Sequence, residues 1–87
     1  MLAVLTGSDY TGEIKAQLGG MKPSTPVILC GDGTYLYAEL IGEFPALSIY
    51  VLAEDALARG VTLSAEYLID YRDWVALSHK FYPWVLL

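Results

Sequence analysis

Short apolar runs alternate with helix-patterned stretches from one end of this chain to the other, and that alternation limits the fold more than any single residue does. "LAVLTG" (2–7) reads as a strand ending in a glycine turn, and "PVILCG" (26–31) as a second strand. The second run is apolar without a break, which suits a strand covered on both faces of a parallel sheet. A third strand opens "ALSIYVLAED" (46–55), a fourth is "EYLIDY" (66–71), and the tail "YPWVLL" can form a short fifth. Between them lie helical patterns. "YTGEIKAQLGG" (10–20) sets Ile14 and Leu18 four apart and stops at Gly19-Gly20. "TYLYAELIGEF" (34–44) carries Tyr37, Leu40 and Ile41 at helical spacing before Pro45, and "EDALARG" closes on Gly60. "RDWVALSHKF" (72–81) aligns Trp74, Leu77 and Phe81. Strand and helix in turn, joined by short connections, predict an α/β fold with an open, mostly parallel sheet of four to five strands.

The 87 residues leave room for one domain, 1–87, and for no second core. A chain this short buries somewhat over 60% of its unfolded surface, roughly, when it folds alone. Yet 55% of its residues are apolar or aromatic and the mean hydropathy is +0.44. Asp, Glu, Gly or Pro interrupts every apolar run before the ~18 residues that a membrane span requires. Met1 leads straight into "LAVLTGSD", with neither a basic start nor a long apolar stretch, so no signal peptide is expected. The surplus apolar surface is therefore assigned to subunit contact, and an obligate oligomer is expected.

Five Lys and Arg stand against ten Asp and Glu, a net charge of −5, with no run of like charge. Such a chain offers no basic groove, and direct nucleic-acid binding is not expected. One cysteine allows no internal disulfide, and one cysteine with one histidine cannot complete a tetrahedral zinc site without carboxylate ligands, so no structural zinc is expected. A reducing cytoplasm fits this usage.

Cys30 is the one thiol, and two roles compete for it. A sulfur carrier needs an accessible thiolate beside a cation or a helix N-terminus. Cys30 instead follows Val27-Ile28-Leu29, where a free cysteine acts as a small buried hydrophobe, and Asp32 nearby would raise its pKa. The carboxyl ends of parallel strands are nonetheless where such folds place their sites, so sulfur handling stays open beside the favoured packing role. The loop "TGSDYTGE" (6–13) could form an amide nest for a phosphate, as in flavin-binding proteins of similar architecture. Its spacing fits no phosphate loop, Asp9 and Glu13 carry the wrong charge, and Ser8 or Asp9 reads more simply as an N-cap. No cofactor is assigned.

Asp32-Gly33 is read as a helix start with Asp32 as N-cap, and Glu54 and Asp55 as first-turn acids of the following helix. Arg59 is placed at a helix C-terminus with Gly60 as the left-handed cap. His79 is read either as a plain surface residue or as a complement to its helix dipole. Tyr35, Tyr37, Trp74, Phe81, Tyr82 and Trp84 exceed what one side of a small sheet can cover, and are taken as candidates for a subunit interface.

The second half of the chain also resembles a known family. Tyr50 to Leu52, Glu54-Asp55, Ala58-Arg59-Gly60, Leu68 to Tyr71, Asp73 to Leu77 and Trp84 follow the order and spacing of the TusB/DsrH family of sulfur-relay subunits, and "LCGDGTY" is similar to that family's Asp-Gly turn. The resemblance implies a three-layer, flavodoxin-like α/β domain of the DsrE-like kind, cytoplasmic, working in a hetero-oligomer with TusC/TusD-like or DsrE/DsrF-like subunits; a homo-oligomer is the alternative. In the tRNA branch such a complex passes persulfide sulfur toward 2-thiolation of wobble uridine, with the carrying thiol on another subunit. In the sulfur-oxidising branch the DsrH-type subunit carries a cysteine in its first helix. Here that helix reads "EIKAQL" without one, which favours a scaffold role over autonomous transfer.

Overall fold

The computed structural model describes residues 1–87 as one five-stranded sheet with four α-helices. β1 (Leu2–Leu5) leads to α1 (Gly12–Gly19); β2 (Pro26–Leu29) leads through a 3-10 turn (Gly31–Leu36) into α2 (Tyr37–Glu43). β3 (Ser48–Leu52) runs directly into α3 (Ala53–Ala58). A second 3-10 turn (Ala65–Tyr67) precedes β4 (Leu68–Ile69), and α4 (Tyr71–Lys80) and β5 (Trp84–Leu86) follow.

The strand order is β4-β3-β2-β1-β5, and every neighbouring pair is parallel. The layering follows from crossover handedness. From β1 to β4 each connection steps the same way along the sheet, so right-handed crossovers keep their helices on one face. The step from β4 back past β1 to β5 runs the other way, and its helix, α4, lands on the opposite face.

Side-chain alternation along the strands divides the core accordingly. Ala3, Leu5, Val27, Leu29, Ile49 and Val51 point toward Leu18 of α1, Leu40 of α2 and Ala56 of α3. Leu2, Val4, Ile28, Cys30, Leu52 and Ile69 point to the other side, where Trp74, Leu77 and Phe81 of the α4 region cover them. β1 and β2 are buried along their whole length, as the unbroken apolar runs required. The expected α/β class and open parallel sheet are what the chain forms.

Local differences have local causes. Neither Ser8 nor Asp9 caps α1: Thr11 does, its hydroxyl accepting from the Ile14 amide at 3.2 Å. The helix expected over 34–44 begins as the 3-10 turn, because Gly33 is drawn onto the end of β1, where its amide donates to Thr6 O at 3.2 Å and to Cys30 O at 3.0 Å. Asp32 does not cap that turn either; its side chain turns to Arg59 instead. The fourth strand shrinks to two residues because Asp70 caps α4. Its carboxylate accepts from the Asp73 amide at 2.8 Å, while the Asp73 carboxylate accepts from the Asp70 amide at 3.1 Å.

Candidate functional site

The Gly-Asp-Gly turn after β2 crosses the carboxyl ends of β1, β2 and β3, and it holds the chain's thiol. Cys30 is still tied to the sheet, its amide donating to Leu5 O at 3.0 Å. Gly31 then takes φ +54°, a left-handed conformation that suits glycine, with the carbonyl of Thr6 close beside it. Gly33 passes closer still: a Cβ there would lie 2.4 Å from Leu5 O. Only a chain without side chains at 31 and 33 can fold over the end of β1 in this way.

α3 closes the site from the next strand. β3 enters α3 with no intervening loop, which sets Asp55 in the first turn facing the β2 turn. The Gly31 amide donates to Asp55 Oδ2 at 2.7 Å. Arg59, just past the end of α3, lies 3.2 Å by Nε from Asp32 Oδ1 and 3.7 Å by Nη1 from Asp55 Oδ1. Gly60 follows at φ +66°, so the left-handed stop read from the sequence is present. Two carboxylates and one guanidinium thus brace the turn that carries Cys30.

The Cys30 side chain itself points away from these charges into the α4-side core, among Leu2, Val4, Ile28, Leu52 and Ile69, and the residue is 8% exposed. Burial, and then the Asp55 carboxylate, push its thiol above the ordinary value, while Arg59 pulls the other way. At neutral pH the sulfur is held as a thiol. Sequence reasoning placed Asp55 and Arg59 as capping residues on α3 and missed their reach to Gly31 and Asp32, since contacts across 24 and 27 residues leave no local signal.

The other expected residues lie elsewhere. His79 is exposed in the last turn of α4, and no hydrogen bond or ion pair joins it to the Cys30 turn. Thr6 to Asp9 are exposed ahead of α1. No cluster of three His, Cys, Asp or Glu side chains could hold a metal ion. No helix is long and apolar enough to cross a membrane.

The aromatic residues divide into two groups. Tyr37 packs against Tyr67 with ring centroids 5.9 Å apart, and Tyr35 beside it is exposed. Trp74 is sandwiched between Tyr71, stacked at 6.2 Å, and Trp84 at 5.6 Å. Phe81 is half-buried in the α4-side core, whereas Tyr82 and Trp84 are exposed by 74% and 54%. Tyr71, Val75 and Leu86 join this exposed group and were not picked out from the sequence. Their signal was available in the spacing of 71 and 75 on one helix flank and of 84 and 86 on one strand face.

Comparison with known proteins agrees with this architecture. Protein Tm0979 from Thermotoga maritima, known from a solution NMR structure, is similar over 92% of this chain and 93% of its own, at 26% identity and a TM-score of 0.60. No curated protein matches. The family described as DsrH like protein matches residues 7–83. With nearly its whole length inside that match, the chain belongs to the DsrH-like family of sulfur-relay proteins.

Proposed function

We propose that this chain is a scaffold subunit of a cytoplasmic sulfur-relay assembly, a single DsrE-like domain over residues 1–87 that contributes docking surface and geometry while partner subunits carry the sulfur. Members of the DsrH-like family work in protein complexes, which supports protein partners for this chain. The observation that carries the reading is the state of the one thiol. Cys30 is packed into the core with its pKa raised, the reverse of what a persulfide acceptor requires, and α1 contains no cysteine. The exposed aromatic group around Trp74 and Trp84 supplies the surface for assembly. Among sulfur pathways, transfer toward 2-thiolation of tRNA wobble uridine fits a cysteine-free first helix better than the sulfur-oxidising route does.

A second reading has one observation in its favour. Arg59 is the cation nearest the Cys30 turn and lowers the thiol pKa against burial and Asp55, so a rearrangement of that turn would activate the sulfur. The chain would then act as a small sulfurtransferase with Cys30 as persulfide acceptor.

Incubation with a cysteine desulfurase and cysteine, followed by intact-mass measurement, separates the two. The scaffold reading expects no gain of about 32 Da, one sulfur atom, on the native chain. It further expects the chain to accelerate sulfur passage between cysteine-bearing subunits of related fold. A stoichiometric persulfide on Cys30 would overturn it.

A further inference from the structure

One face of the five-stranded sheet is covered by α1, α2 and α3, and no helix follows β5. α4, its neighbour in sequence, packs on the opposite face. Val85 and Leu87 point to the α1 side with Ala3, as the register with β1 requires, and both stay half-exposed. Between them and α1 runs an open groove of about 570 Å³. Met1 and Met21 complete its apolar walls, while Ala16 and Gly20, one helical turn apart, keep the α1 side low.

Nine residues line this groove, and Lys22 is the only charged one among them. The chain has ten Asp and Glu, and none of them reaches the lining. Lys15 and Arg59 are paired with carboxylates, whereas the Lys22 ammonium has no ion pair, hydrogen bond or cation–π contact. It is not needed at the end of α1 either. There the Ala16 and Gln17 carbonyls accept from the Gly20 amide, and the Leu18 carbonyl accepts from the Met21 amide.

A turn fixes the base of the Lys22 side chain. Pro23 and Ser24 form its centre, with Ser24 at φ +66°, and the Thr25 amide and hydroxyl both donate to Lys22 O, at 3.2 and 2.7 Å. The Ser24 amide donates to Ala46 O at 2.7 Å, which ties the turn to the approach of β3. The Gln17 side-chain amide, also in the lining, has no partner within the molecule and is a second free donor.

We propose that this groove binds a small amphipathic carboxylate, a medium-chain alkyl acid whose body lies between α1 and β5 and whose head meets the Lys22 ammonium. The volume falls within the roughly 300–1,000 Å³ of small-molecule sites. Nine lining residues are far fewer than the roughly 20–30 that a protein partner covers on each side. Methionine walls adapt to a flexible chain. One unpaired cation matches one negative charge: a phosphate or dicarboxylate would bring a second charge with no partner in the lining, and an alkylammonium would be repelled. Lys22 and Thr25 precede β2 and Met1 precedes β1, so the charged end lies at the amino ends of the strands, away from the Cys30 turn at their carboxyl ends. The site is independent of the sulfur chemistry.

Titration of the full chain with decanoate, followed by methyl and amide NMR, tests this. Decanoate should saturate below about 1 mM. The methyls of Met21, Val85 and Leu87 should shift, and those of Val75 on α4 should not. 1-Decanol and decyltrimethylammonium, with the same chain and no anionic head, should bind about tenfold more weakly or worse. Lys22→Glu, at an exposed position, should weaken decanoate by about tenfold or more and leave decanol unchanged. Ala16→Trp fills the groove from α1 and should abolish binding of both. Absence of saturable binding would overturn the proposal, as would shifts centred on the α4 face or equal affinities for decanoate and decanol. So would groove methyls that a soluble paramagnetic agent cannot reach before ligand is added, since another chain would then fill the groove.

Discussion

The Gly31 amide and the Asp55 carboxylate meet at 2.7 Å across two strands of the sheet, and this one bond ties the thiol-bearing turn of β2 to the first turn of α3. The left-handed Gly31 leaves its N–H no partner in the ladder, so Asp55 is its acceptor. Asp55→Ala should cost about 1–3 kcal/mol, the usual penalty for a part-buried donor left alone. Asp55→Asn keeps an acceptor in place and should cost clearly less. Urea denaturation of the three proteins checks the order.

Reactivity of Cys30 should follow the same contact. Labelling with a small disulfide reagent at mildly alkaline pH should be slower in the native chain than in urea by about tenfold or more, because a buried, protonated thiol attacks poorly. The thiol pKa is raised, so the native rate should climb only as pH passes above the ordinary thiol value. Asp55→Asn removes a charge that raises it and should speed labelling; Arg59→Ala removes the charge that lowers it and should slow labelling further. Rates that are equal in native and unfolded chains would contradict the packing of Cys30.

Gly33 and Gly42 make a paired comparison. A methyl at Gly33 lies 2.4 Å from the Leu5 carbonyl, which is backbone and cannot swing aside, so Gly33→Ala should destabilise by at least about 1–3 kcal/mol. Gly42, within α2, has nothing within 4 Å of an added methyl. Gly42→Ala should stabilise by up to about 1 kcal/mol through the helix preference for alanine. Thermal melts should move in opposite directions.

The capping box of α4 sets an acid-side dependence. The Asp73 amide holds the Asp70 carboxyl below its ordinary value of 3.8 over the opposing effect of desolvation, and the Asp73 side chain and Arg72 add weaker pulls in the same downward direction. A carboxyl depressed on folding stabilises above its unfolded pKa, and the contribution is lost as pH falls through the folded value. Asp70→Ala should lower Tm at neutral pH, and the gap from the native chain should narrow on titration from pH 5 to pH values well under 3.8. A gap that is constant with pH would remove the charge from this cap.

The alternation of runs was enough to read the class of fold, because a strand covered on both faces has to be apolar at consecutive positions, as at Val27 to Leu29. It was also enough to place Gly60, whose left-handed stop is a local property. The strand order was not legible: nothing near Trp84 says that it will lie beside Leu2. The caps failed for a related reason. Ser8, Asp9 and Thr11 are all competent N-caps, and the choice among them depends on where β1 releases the chain. Asp32 looked like a cap until Arg59, 27 residues away, claimed its carboxylate. At the candidate site, residue types and positions in sequence were visible; the contacts that brace Cys30 were not, since each joins separate strand–helix units.

Because β5 completes β1 from the far end of the chain, synthesis makes these neighbours in the least convenient sequence. Residues 2–5 emerge first among the strands and 84–86 last. Until residues 84–86 are free, Leu2 and Val4 keep one flank of their backbone open on the ribosome, and a chaperone or another nascent chain has that interval in which to take the vacant place.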